Sequence, residues 1–506
     1  MGNQYIEAAR VYHEITKHSY TSVRSSPHRL DWDNRPAPYK IYPTAGALAL
    51  PRELELSAMP ALAAIAAAAP ANSENALGLE PLTRILFCTG GLTRSKQVGG
   101  EDYHFRAAAS AGALYPIEMY VAAGAVEGLE PALYHFSPAD LKLRGLRRGD
   151  LRARLARAAA GRSSIAQARA VILMTSIFWR SAWKYRARAY RYCFWDAGTM
   201  LANLLAAAGV EEIGAEIVTA FEDSEIESIL GLDPDREGAV ALIALGSAGA
   251  AAPESPALEG FPSEAIALSS SEVSYEPLVK FHREARLVTR EEVAAIADAS
   301  VVASVRASKT DLIRFDPIAP EAEMGLGETI LRRGSTRQFA QAPIRGEELQ
   351  AILAAGVEPS RADFPPLIDA YLIVNAVEGM EQGAYFFDRD GGGFELIKAG
   401  EFRAEAGYLC LEQPLGMDCS ALIVYMADLE TTLAALGNRG YRDAHLEAGI
   451  HGGRAYLCAY ALGRGATGLT FYDDDTTKFF EPHAAGKSPI LMVAVGVPRT
   501  RAEGDL

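Results

Sequence analysis

A chain of 506 residues is too long for a single hydrophobic core, which favours two domains or one domain present twice. The formal net charge of −15 argues against nucleic acid or an anionic membrane surface as the main partner. The five cysteines are odd in number and lie far apart without a C-x-x-C pair, which is typical of reduced thiols in the cytoplasm.

The N-terminal region lacks apolar segments of the length that export or membrane insertion requires. The first 30 residues contain Glu7, His13 and Glu14 in place of an apolar core, so no export signal is expected. The alanine-rich run Ala61–Ala69 is about half as long as a membrane span and ends at Pro70. The sequence therefore predicts a cytoplasmic protein without a membrane span.

An internal repeat organises the whole chain. Ala125–Phe136 matches Ala376–Phe387 at seven of twelve positions, and the same shift of 251 residues places Ala197-Gly198 on Ala448-Gly449. Several matches in one register indicate a tandem duplication rather than chance. Two copies of a sheet-forming unit in one chain normally pack as a pseudo-symmetric dimer with the site at the seam between them.

Each copy contains short apolar runs that predict strands, with longer segments between them that predict helices. Strands are predicted at Glu118–Ala123, Val171–Ser176 and Val240–Leu245 in the first copy, and at Ala370–Asn375, Ala421–Met426 and Ile490–Val495 in the second. Helices are predicted at Asp196–Ala208 and His445–Leu462, each of which stops at a glycine. The expected fold class is α+β: two domains, each a mixed β-sheet flanked by helices, fused in tandem as a pseudo-dimer.

The composition between the copies indicates a linker. Ser247–Ser271 is rich in Ala, Pro, Glu and Ser, and Glu276–Arg314 has an amphipathic helical pattern that predicts a strap between the copies. The predicted organisation is an N-terminal domain at residues 1–248, a linker with a helical strap at 249–322, and a C-terminal domain at 323–506.

The stretch Arg106–Tyr120 begins with a loop of small residues and then turns apolar and β-prone. A loop of Ser, Ala and Gly lets backbone N–H groups approach a flat or anionic ligand, because no side chain stands between them. The same pattern fits a tight turn before a buried strand, and the residues alone leave both interpretations open.

The segment Arg332–Phe339 contains Arg332, Arg333 and Arg337 together with Ser335. Guanidinium groups and hydroxyls beside small residues suit a phosphate, although a solvated basic turn has the same composition. The first copy has no such arginines at the corresponding residues 65–70. The second copy has Arg361–Leu367 where the first has Ser110–Pro116, so one composite site per chain is expected.

A third difference between the copies is the sequence Trp183-Lys184-Tyr185, which aligns with Ala434-Ala435-Leu436 in the second copy. Aromatic side chains near a planar cofactor, with a Lys and a Tyr able to move protons, would form an oxidoreductase pocket. An aromatic core with a Lys-Tyr pair at the surface is the structural alternative.

Together these motifs make the sequence similar to the nitroreductase superfamily of FMN enzymes, and within it to the SagB/ThcOx-type dehydrogenases. The segment SAGALYPIEMY resembles the family's Ser-Ala-Gly loop, which lies against the isoalloxazine ring across the dimer seam. RRGSTR resembles the family's phosphate motif, with Gly334 where many members have a second arginine. Lys184-Tyr185 matches the pair that azoline oxidases use for proton transfer. The resemblance covers roughly Tyr20–Ala248 and Glu323–Pro498.

The resemblance implies roles for particular residues and nitroreductase-like folds for both domains. The expected catalytic residues are Lys184 and Tyr185. The expected FMN-binding residues are Arg332, Arg333, Ser335, Arg337, Ser110, Ala111, Gly112, Leu114, Gly468, Leu469, Arg499 and Arg501. No metal site is expected, because His445, Glu447 and His451 do not have a standard ligand spacing.

The implied function is FMN-dependent oxidation of a small or peptide-borne heterocycle by hydride transfer to the flavin. Two alternatives remain open on the sequence. One is an NAD(P)H-dependent reductase of nitro compounds or quinones, although the chain has no G-x-G-x-x-G on a strand–helix turn. The other is a flavin-binding scaffold without turnover. The expected partners are the substrate and the second copy within the same chain, and association of two chains is not predicted either way.

Overall fold

The computed structural model of the protein describes residues 2–67, 73, 75–98, 101–261, 263–297, 299, 311–318 and 324–499. The first half of the chain has eleven strands in these ranges: β1 (Gly46–Ala49), β2 (Leu77–Gly78), β3 (Leu92–Val98), β4 (Glu101–Arg106), β5 (Ile117–Ala123), β6 (Val126–Glu127), β7 (Ala132–Ser137), β8 (Lys142–Arg148), β9 (Ala170–Ile177), β10 (Ala215–Val218) and β11 (Glu237–Leu245).

The helices of this half and of the connection that follows it are α1 (Glu7–Ile15), α2 (Tyr20–Arg24), α3 (Ala61–Ala66), α4 (Leu79–Gly90), α5 (Arg152–Ala158), α6 (Ser163–Gln167), α7 (Phe178–Tyr185), α8 (Ala189–Val210), α9 (Asp223–Leu230), α10 (Glu276–Glu284) and α11 (Arg290–Ala297). Short 3₁₀ turns occur at Trp32–Asn34, Ala111–Ala113 and Arg186–Arg188.

The second half repeats the same succession in fewer elements. Its helices are α12 (Leu326–Arg332), α13 (Gly346–Val357), α14 (Arg403–Leu409), α15 (Pro414–Asp418), α16 (Leu429–Ala461) and α17 (Asp473–Phe480). Its strands are β12 (Ile344–Arg345), β13 (Ile368–Val374), β14 (Val377–Glu378), β15 (Gly383–Asp388), β16 (Gly393–Ala399), β17 (Ala421–Ala427), β18 (Gly465–Leu469) and β19 (Ser488–Gly496).

The strand order confirms that the chain contains one unit twice. The first sheet has the order β1-β8-β7-β5-β9-β11-β10, and the second has β16-β15-β13-β17-β19-β18. Apart from the additional edge strand β1, the two orders match strand for strand. The sequence predicts mixed sheets, whereas the strand pairs within the two large sheets are all antiparallel. Among the described residues, parallel pairing is confined to the two-residue pairs β2–β6 and β12–β14 and to a single bridge between Ile217 and Ala362.

Helices α8 and α16 cross at the centre of the molecule, and they hold the two halves together. A Cβ on Gly198 would lie 2.3 Å from the carbonyl oxygen of Leu446 and 2.6 Å from the Cα of Gly449. A Cβ on Gly449 would in turn lie 2.5 Å from the carbonyl oxygen of Trp195. Because only glycine leaves room for this approach, the repeat match Ala197-Gly198 on Ala448-Gly449 has a packing explanation.

Two buried ion-pair clusters, one for each half, also cross the seam. Arg188 and Arg191 of the first half contact Asp473 of the second at 2.9 and 2.7 Å. The counterparts Arg439 and Arg442 of the second half contact Asp223 of the first. Each aspartate begins a helix, α17 or α9, where a negative charge is favoured by the helix dipole. Each half therefore neutralises the buried charge of the other.

Three helix predictions need correction. Asp196 does not begin a helix but lies within α8, which starts at Ala189, and His445 lies within α16, which starts at Leu429. The acidic residue that suggested an N-terminus instead serves the loop described below. The predicted strap Glu276–Arg314 contains α10 and α11, but its described end is extended, with Ile313 bridged to Phe394. The domain limits 1–248, 249–322 and 323–506 stay predictions.

The segment Phe178–Val210 is long and apolar enough to cross a membrane by length and composition, but 89% of its most apolar window is buried inside the protein. Its apolar character follows from its place at the seam, where α8 packs on α16 from the other half.

Candidate active site

A cavity of about 860 Å³ opens at the seam, and both halves line it. From the first half it is lined by Arg94, Ser95, Lys96, Phe105, Ala109, Ser110, Ala111, Gly112, Ala113, Tyr115, Lys184, Tyr185, Tyr192, Trp195, Asp196 and Thr199. From the second half it is lined by Arg333, Ser335, Arg337, Gln413, Gly452, Tyr456, Thr467, Gly468, Leu469, Thr470, Leu491 and Val493. This volume lies within the range of roughly 300–1,000 Å³ that is common for ligand sites. We refer to it as the seam cavity.

The small-residue loop is fixed to one face of α8. Asp196 accepts hydrogen bonds from Oγ of Ser110 at 2.5 Å and from the backbone N–H of Ala111 at 2.9 Å. One turn further along, the hydroxyl of Thr199 donates to the carbonyl of Ala109, and Asn203 donates to the carbonyl of Ala107. Polar side chains at helical spacings of three and four residues thus hold the loop in place from behind.

Asp196 is an acid in an unusual environment. Burial raises the pKa of its carboxyl to about 7, even though the two hydrogen bonds from the loop favour the charged form. The group that shapes the loop is therefore poised to change charge near neutral pH.

The loop brings its glycine directly against the Lys-Tyr pair. Gly112 has a φ of 65°, a conformation in which a side chain is strained. A Cβ at this position would lie 2.9 Å from the hydroxyl of Tyr185 and 3.2 Å from Nζ of Lys184. The absence of a side chain at Gly112 therefore lets both polar groups approach the loop.

The protonation of the pair is shifted in both members. Burial lowers the pKa of Lys184, and the nearby charge of Arg337 lowers it further. Burial raises the pKa of Tyr185 well above its ordinary value, so the phenol keeps its proton at neutral pH. The lysine is made a better proton acceptor, and the tyrosine stays a hydrogen-bond donor.

An aromatic wall continues from Tyr185 into the cavity. The rings of Tyr185 and Tyr192 are stacked with centroids 4.1 Å apart, and Tyr192 meets the edge of Trp195 at 4.6 Å. Trp183 belongs to a different cluster, since it packs against Trp32 and does not line the cavity. The tryptophan nearest the cofactor-sized space is thus Trp195.

The basic segment of the second half also lines the cavity. Arg333 is buried, and it donates to the carbonyl oxygens of Arg106 at 2.7 Å and Ala107 at 3.0 Å. An arginine of one half therefore anchors the loop of the other. Ser335 lies 3.3 Å from the hydroxyl of Tyr456, and Arg337 lines the cavity near Lys184.

The structure brings together most of the residues that the sequence singled out, and it leaves three of the described ones outside the seam cavity. Arg332 points away to Glu328 with 65% of its side chain exposed. Leu114 is buried in the core behind the loop. Arg499 is exposed at the end of the second sheet, and Arg501 lies outside the described residues. Arg332 is adjacent to Arg333 and Leu114 lies two residues after Gly112, yet Arg333 and Gly112 line the cavity and their neighbours do not.

Several lining residues were not predicted. Arg94 and Lys96 come from the hairpin β3–β4, whose sequence has no apolar period that would have marked it as a strand pair. Asp196 has the sequence pattern of a helix start, and Tyr456 lies on α16, which is buried along most of its length and so shows no amphipathic pattern. The one sequence signal for these residues is Asp196, the single charged residue in the segment 193–202.

The equivalent position in the other half has different chemistry. Glu447 replaces Asp196 and accepts from the N–H of Leu367 at 2.6 Å, and burial raises the pKa of its carboxyl to about 8. Arg454 replaces Asn203 and donates to Oγ of Ser360 at 3.0 Å. Ala435 and Leu436 stand where the Lys-Tyr pair would be. This half therefore has no Lys-Tyr pair at the corresponding position.

The duplicated fold and the cavity at the seam are accompanied by a match to a known protein family. A model of the nitroreductase family matches residues 61–247 and 330–497, one region in each half. The chain therefore belongs to the nitroreductase family of oxidoreductases and contains two domains of that family.

Particular relatives agree with this assignment. The crystal structure of a protein described as a nitroreductase from Anabaena variabilis is 28% identical, covers 97% of this chain and 99% of its own, and superposes with a TM-score of 0.78. MJ1384 of Methanocaldococcus jannaschii, also described as a nitroreductase, is 31% identical over 34% of this chain and 91% of its own length. The trifolitoxin-processing protein TfxB of Rhizobium leguminosarum bv. trifolii is 29% identical over 33% of this chain, which covers 46% of TfxB.

Proposed function

We propose that the protein is an FMN-dependent oxidoreductase of the SagB/ThcOx type, with one composite FMN site per chain in the seam cavity. The observation that carries the proposal is the position of Gly112 against Nζ of Lys184 and the hydroxyl of Tyr185, in the same cavity as Arg333 and Arg337. A ring-sized opening, a proton-transfer pair and a cationic wall are thus within one enclosure that neither half could form alone.

The residues present fit the cofactor. The phosphate requires cationic and hydroxyl donors, which Arg333, Ser335 and Arg337 supply in the lining of the cavity. The flat ring system requires a wall of small residues, which Ser110 to Gly112 supply in the same lining. Gly468 and Leu469 of β18 also line the cavity.

Bound FMN supplies a hydride acceptor, and the protein supplies binding, orientation and proton transfer. Asp196 holds the loop whose backbone would lie against the ring system. Lys184, whose pKa is lowered, accepts at Nζ the proton that leaves the substrate together with the hydride. Tyr185 stays protonated and donates a hydrogen bond from its hydroxyl to the substrate.

The substrate we propose is a small or peptide-borne heterocycle of the azoline kind. Loss of a hydride and a proton would convert the dihydro ring to its aromatic form, which matches a pair built for proton transfer. The name of TfxB, a trifolitoxin-processing protein, supports a link to peptide modification. No disulfide joins the five buried cysteines, all of which lie in the described part of the chain, and this accords with a cytoplasmic location, which is part of the proposal.

The decisive experiment is reconstitution of the purified chain with FMN, followed by the absorbance spectrum and the flavin-to-protein ratio. One FMN per chain is expected, because the Lys-Tyr pair, the small-residue loop and the arginines each occur once. A ratio of two, or no binding, would contradict the composite site.

A second experiment separates the substrate classes. The FMN-loaded protein is mixed anaerobically with a thiazoline peptide, and separately with NADPH. Rapid bleaching by the thiazoline with formation of a thiazole supports the dehydrogenase. Bleaching by NADPH alone would instead identify a reductase of nitro compounds or quinones, and no bleaching by either donor would favour a flavin-binding scaffold.

A further inference from the structure

The seam cavity contains a third arginine that comes from the half opposite to the phosphate motif. Arg94 lies on β3, in a hairpin of the first half, and lines the cavity together with Arg333 and Arg337 of the second half. A Cβ on Gly334 would lie 3.1 Å from Nη2 and 3.6 Å from Nη1 of Arg94. The guanidinium of Arg94 therefore occupies the space in front of Gly334.

The guanidinium groups of Arg94 and Arg333 lie close enough to interact, and Arg337 lines the same cavity. The charge of Arg94 contributes to lowering the pKa of Arg333, although burial is the larger cause. Within the described part of the chain, no ion pair joins Arg94, Arg333 or Arg337 to a carboxylate, whereas the exposed Arg332 is paired with Glu328. Clustered like charges are costly unless an anion lies between them.

Arg94 is also held in position before any ligand arrives. Its guanidinium lies over the ring of Phe105 at 4.7 Å, on the neighbouring strand of the hairpin. A guanidinium that is already oriented loses less rotamer freedom when it binds an anion.

We infer that Arg94 is an FMN-phosphate ligand donated across the seam, and that it occupies the space that Gly334 leaves open. The inference rests on the proposed FMN site and adds a specific division of work: both halves contribute cations to one phosphate. The hairpin β3–β4 is then part of the cofactor site.

The test compares FMN with riboflavin, which has the same ring system and no phosphate. In Arg94→Ala, the Kd for FMN is expected to rise roughly ten- to hundredfold, as for loss of one charged hydrogen-bonding partner, while the Kd for riboflavin stays unchanged. The matched control is Arg332→Ala, which should leave both values unchanged. Flavin fluorescence quenching measures all of them without turnover.

A reciprocal variant makes the test specific for position. In Arg94→Ala with Gly334→Arg, a new guanidinium grows from the opposite side into the vacated space, and at least part of the FMN affinity is expected to return. Gly334→Arg alone should weaken FMN, because two guanidinium groups then compete for one space.

The outcomes separate this inference from the proposed function. A wild-type chain that binds neither FMN nor riboflavin would overturn both. A wild-type chain that binds FMN, with an Arg94→Ala variant that binds it equally well, would overturn only the role of Arg94. Equal weakening of FMN and riboflavin would also overturn it, since that result describes a hairpin that shapes the cavity rather than a phosphate ligand.

Discussion

The α-carbons of Gly198 and Gly449 meet where α8 crosses α16, so closely that a Cβ on Gly449 would lie 2.9 Å from the Cα of Gly198. The obstructing atoms are backbone, which cannot rotate away as a side chain could. The close packing at the seam therefore requires glycine at both positions, because a side chain on either residue would clash with the backbone of the other helix.

Gly449→Ala is therefore expected to destabilise the protein. Overpacking of this kind costs about 1–3 kcal/mol or more, although alanine is the better helix former. The matched control is Gly356→Ala in α13, where the nearest atom to a new Cβ is 3.6 Å away and the change should be neutral or stabilising. Thermal unfolding of both variants checks the prediction, and an unchanged Tm for Gly449→Ala would contradict it.

The buried ion pairs at the seam give a second stability prediction. Burial opposes the charged form of Asp473, but Arg188 and Arg191 outweigh it and lower the pKa of Asp473. Asp473→Asn would leave two buried guanidinium groups without a counter-charge, at a cost of about 3–5 kcal/mol. Its neighbour Asp474 is 76% exposed in its pair with Lys17, so Asp474→Asn should change stability by less than about 1 kcal/mol.

The measurement is the free energy of unfolding in urea for both variants. A lowered pKa means that the stabilisation by Asp473 is present above the unfolded-state pKa of about 3.9 and is lost as the pH falls through its folded-state value. The difference between wild type and Asp473→Asn should therefore shrink in acid. Equal stabilities at pH 7 would show that the pair contributes nothing net.

For Asp196 we expect the opposite pH dependence of stability from that of Asp473. Its folded-state pKa is raised to about 7, so the folded protein holds a proton that the unfolded chain has lost above about pH 3.9. The contribution of Asp196 to stability accordingly falls as the pH rises from about 4 to about 7, and it stays constant above that. Asp196→Asn removes the titration while it keeps the shape.

Thermal unfolding at pH 5, 6, 7 and 8 tests this point. The Tm of Asp196→Asn relative to wild type is expected to increase from pH 5 to pH 7 and then level off. A difference that is independent of pH would show that Asp196 is charged in the folded protein throughout this range.

The Lys-Tyr pair gives a prediction about chemistry. Lys184→Ala and Tyr185→Phe are each expected to lower turnover on the order of 10²-fold or more with an unchanged flavin content, since they remove proton transfer and not binding. Tyr185→Phe retains the ring that stacks on Tyr192, so it isolates the hydroxyl. Lys478→Ala, an exposed lysine on α17, serves as the control. Near-normal turnover in both variants would favour a generic flavin reductase.

Replacement of Arg186 by glycine is expected to stabilise the protein, because the backbone of Arg186 is strained. It has φ 53° and ψ −138°, and its counterpart Gly437 has φ 63° and ψ −156°. Such a conformation costs a residue with a side chain about 1–3 kcal/mol. Arg186→Gly is therefore expected to raise the Tm, and Gly437→Ala is expected to lower it. A Tm that falls in Arg186→Gly would show that the arginine side chain contributes more than the strain costs.

The sequence predicted the repeat well because its strongest signals report fixed geometry. Gly198 and Gly449 match because a crossing of helix backbones tolerates no other residue, and the six principal strands were found within a few residues of their ends. Their apolar runs are long, buried and bounded by turns.

The site was predicted less completely, because its members depend on tertiary direction. Arg332 and Arg333 are neighbours of the same type, yet one faces solvent and the other the cavity. Arg94 belongs to the hairpin β3–β4, and it becomes part of a site only because the hairpin lies against the second half. Asp196 carried the signal of a helix start although its partner is a loop far away in sequence.

Fusion of the two domains frees them from a constraint that every homodimer obeys. In a homodimer each substitution appears twice, so a loop or a lysine cannot be lost from one site without loss from the other. Here Lys184 and Tyr185 persist while their counterparts have become Ala435 and Leu436, and Glu447 has taken the place of Asp196. With the proposed composite site, the second half can evolve as a dedicated support for a single reaction centre, and its own corresponding region is open to changes that would inactivate both sites of a symmetric enzyme.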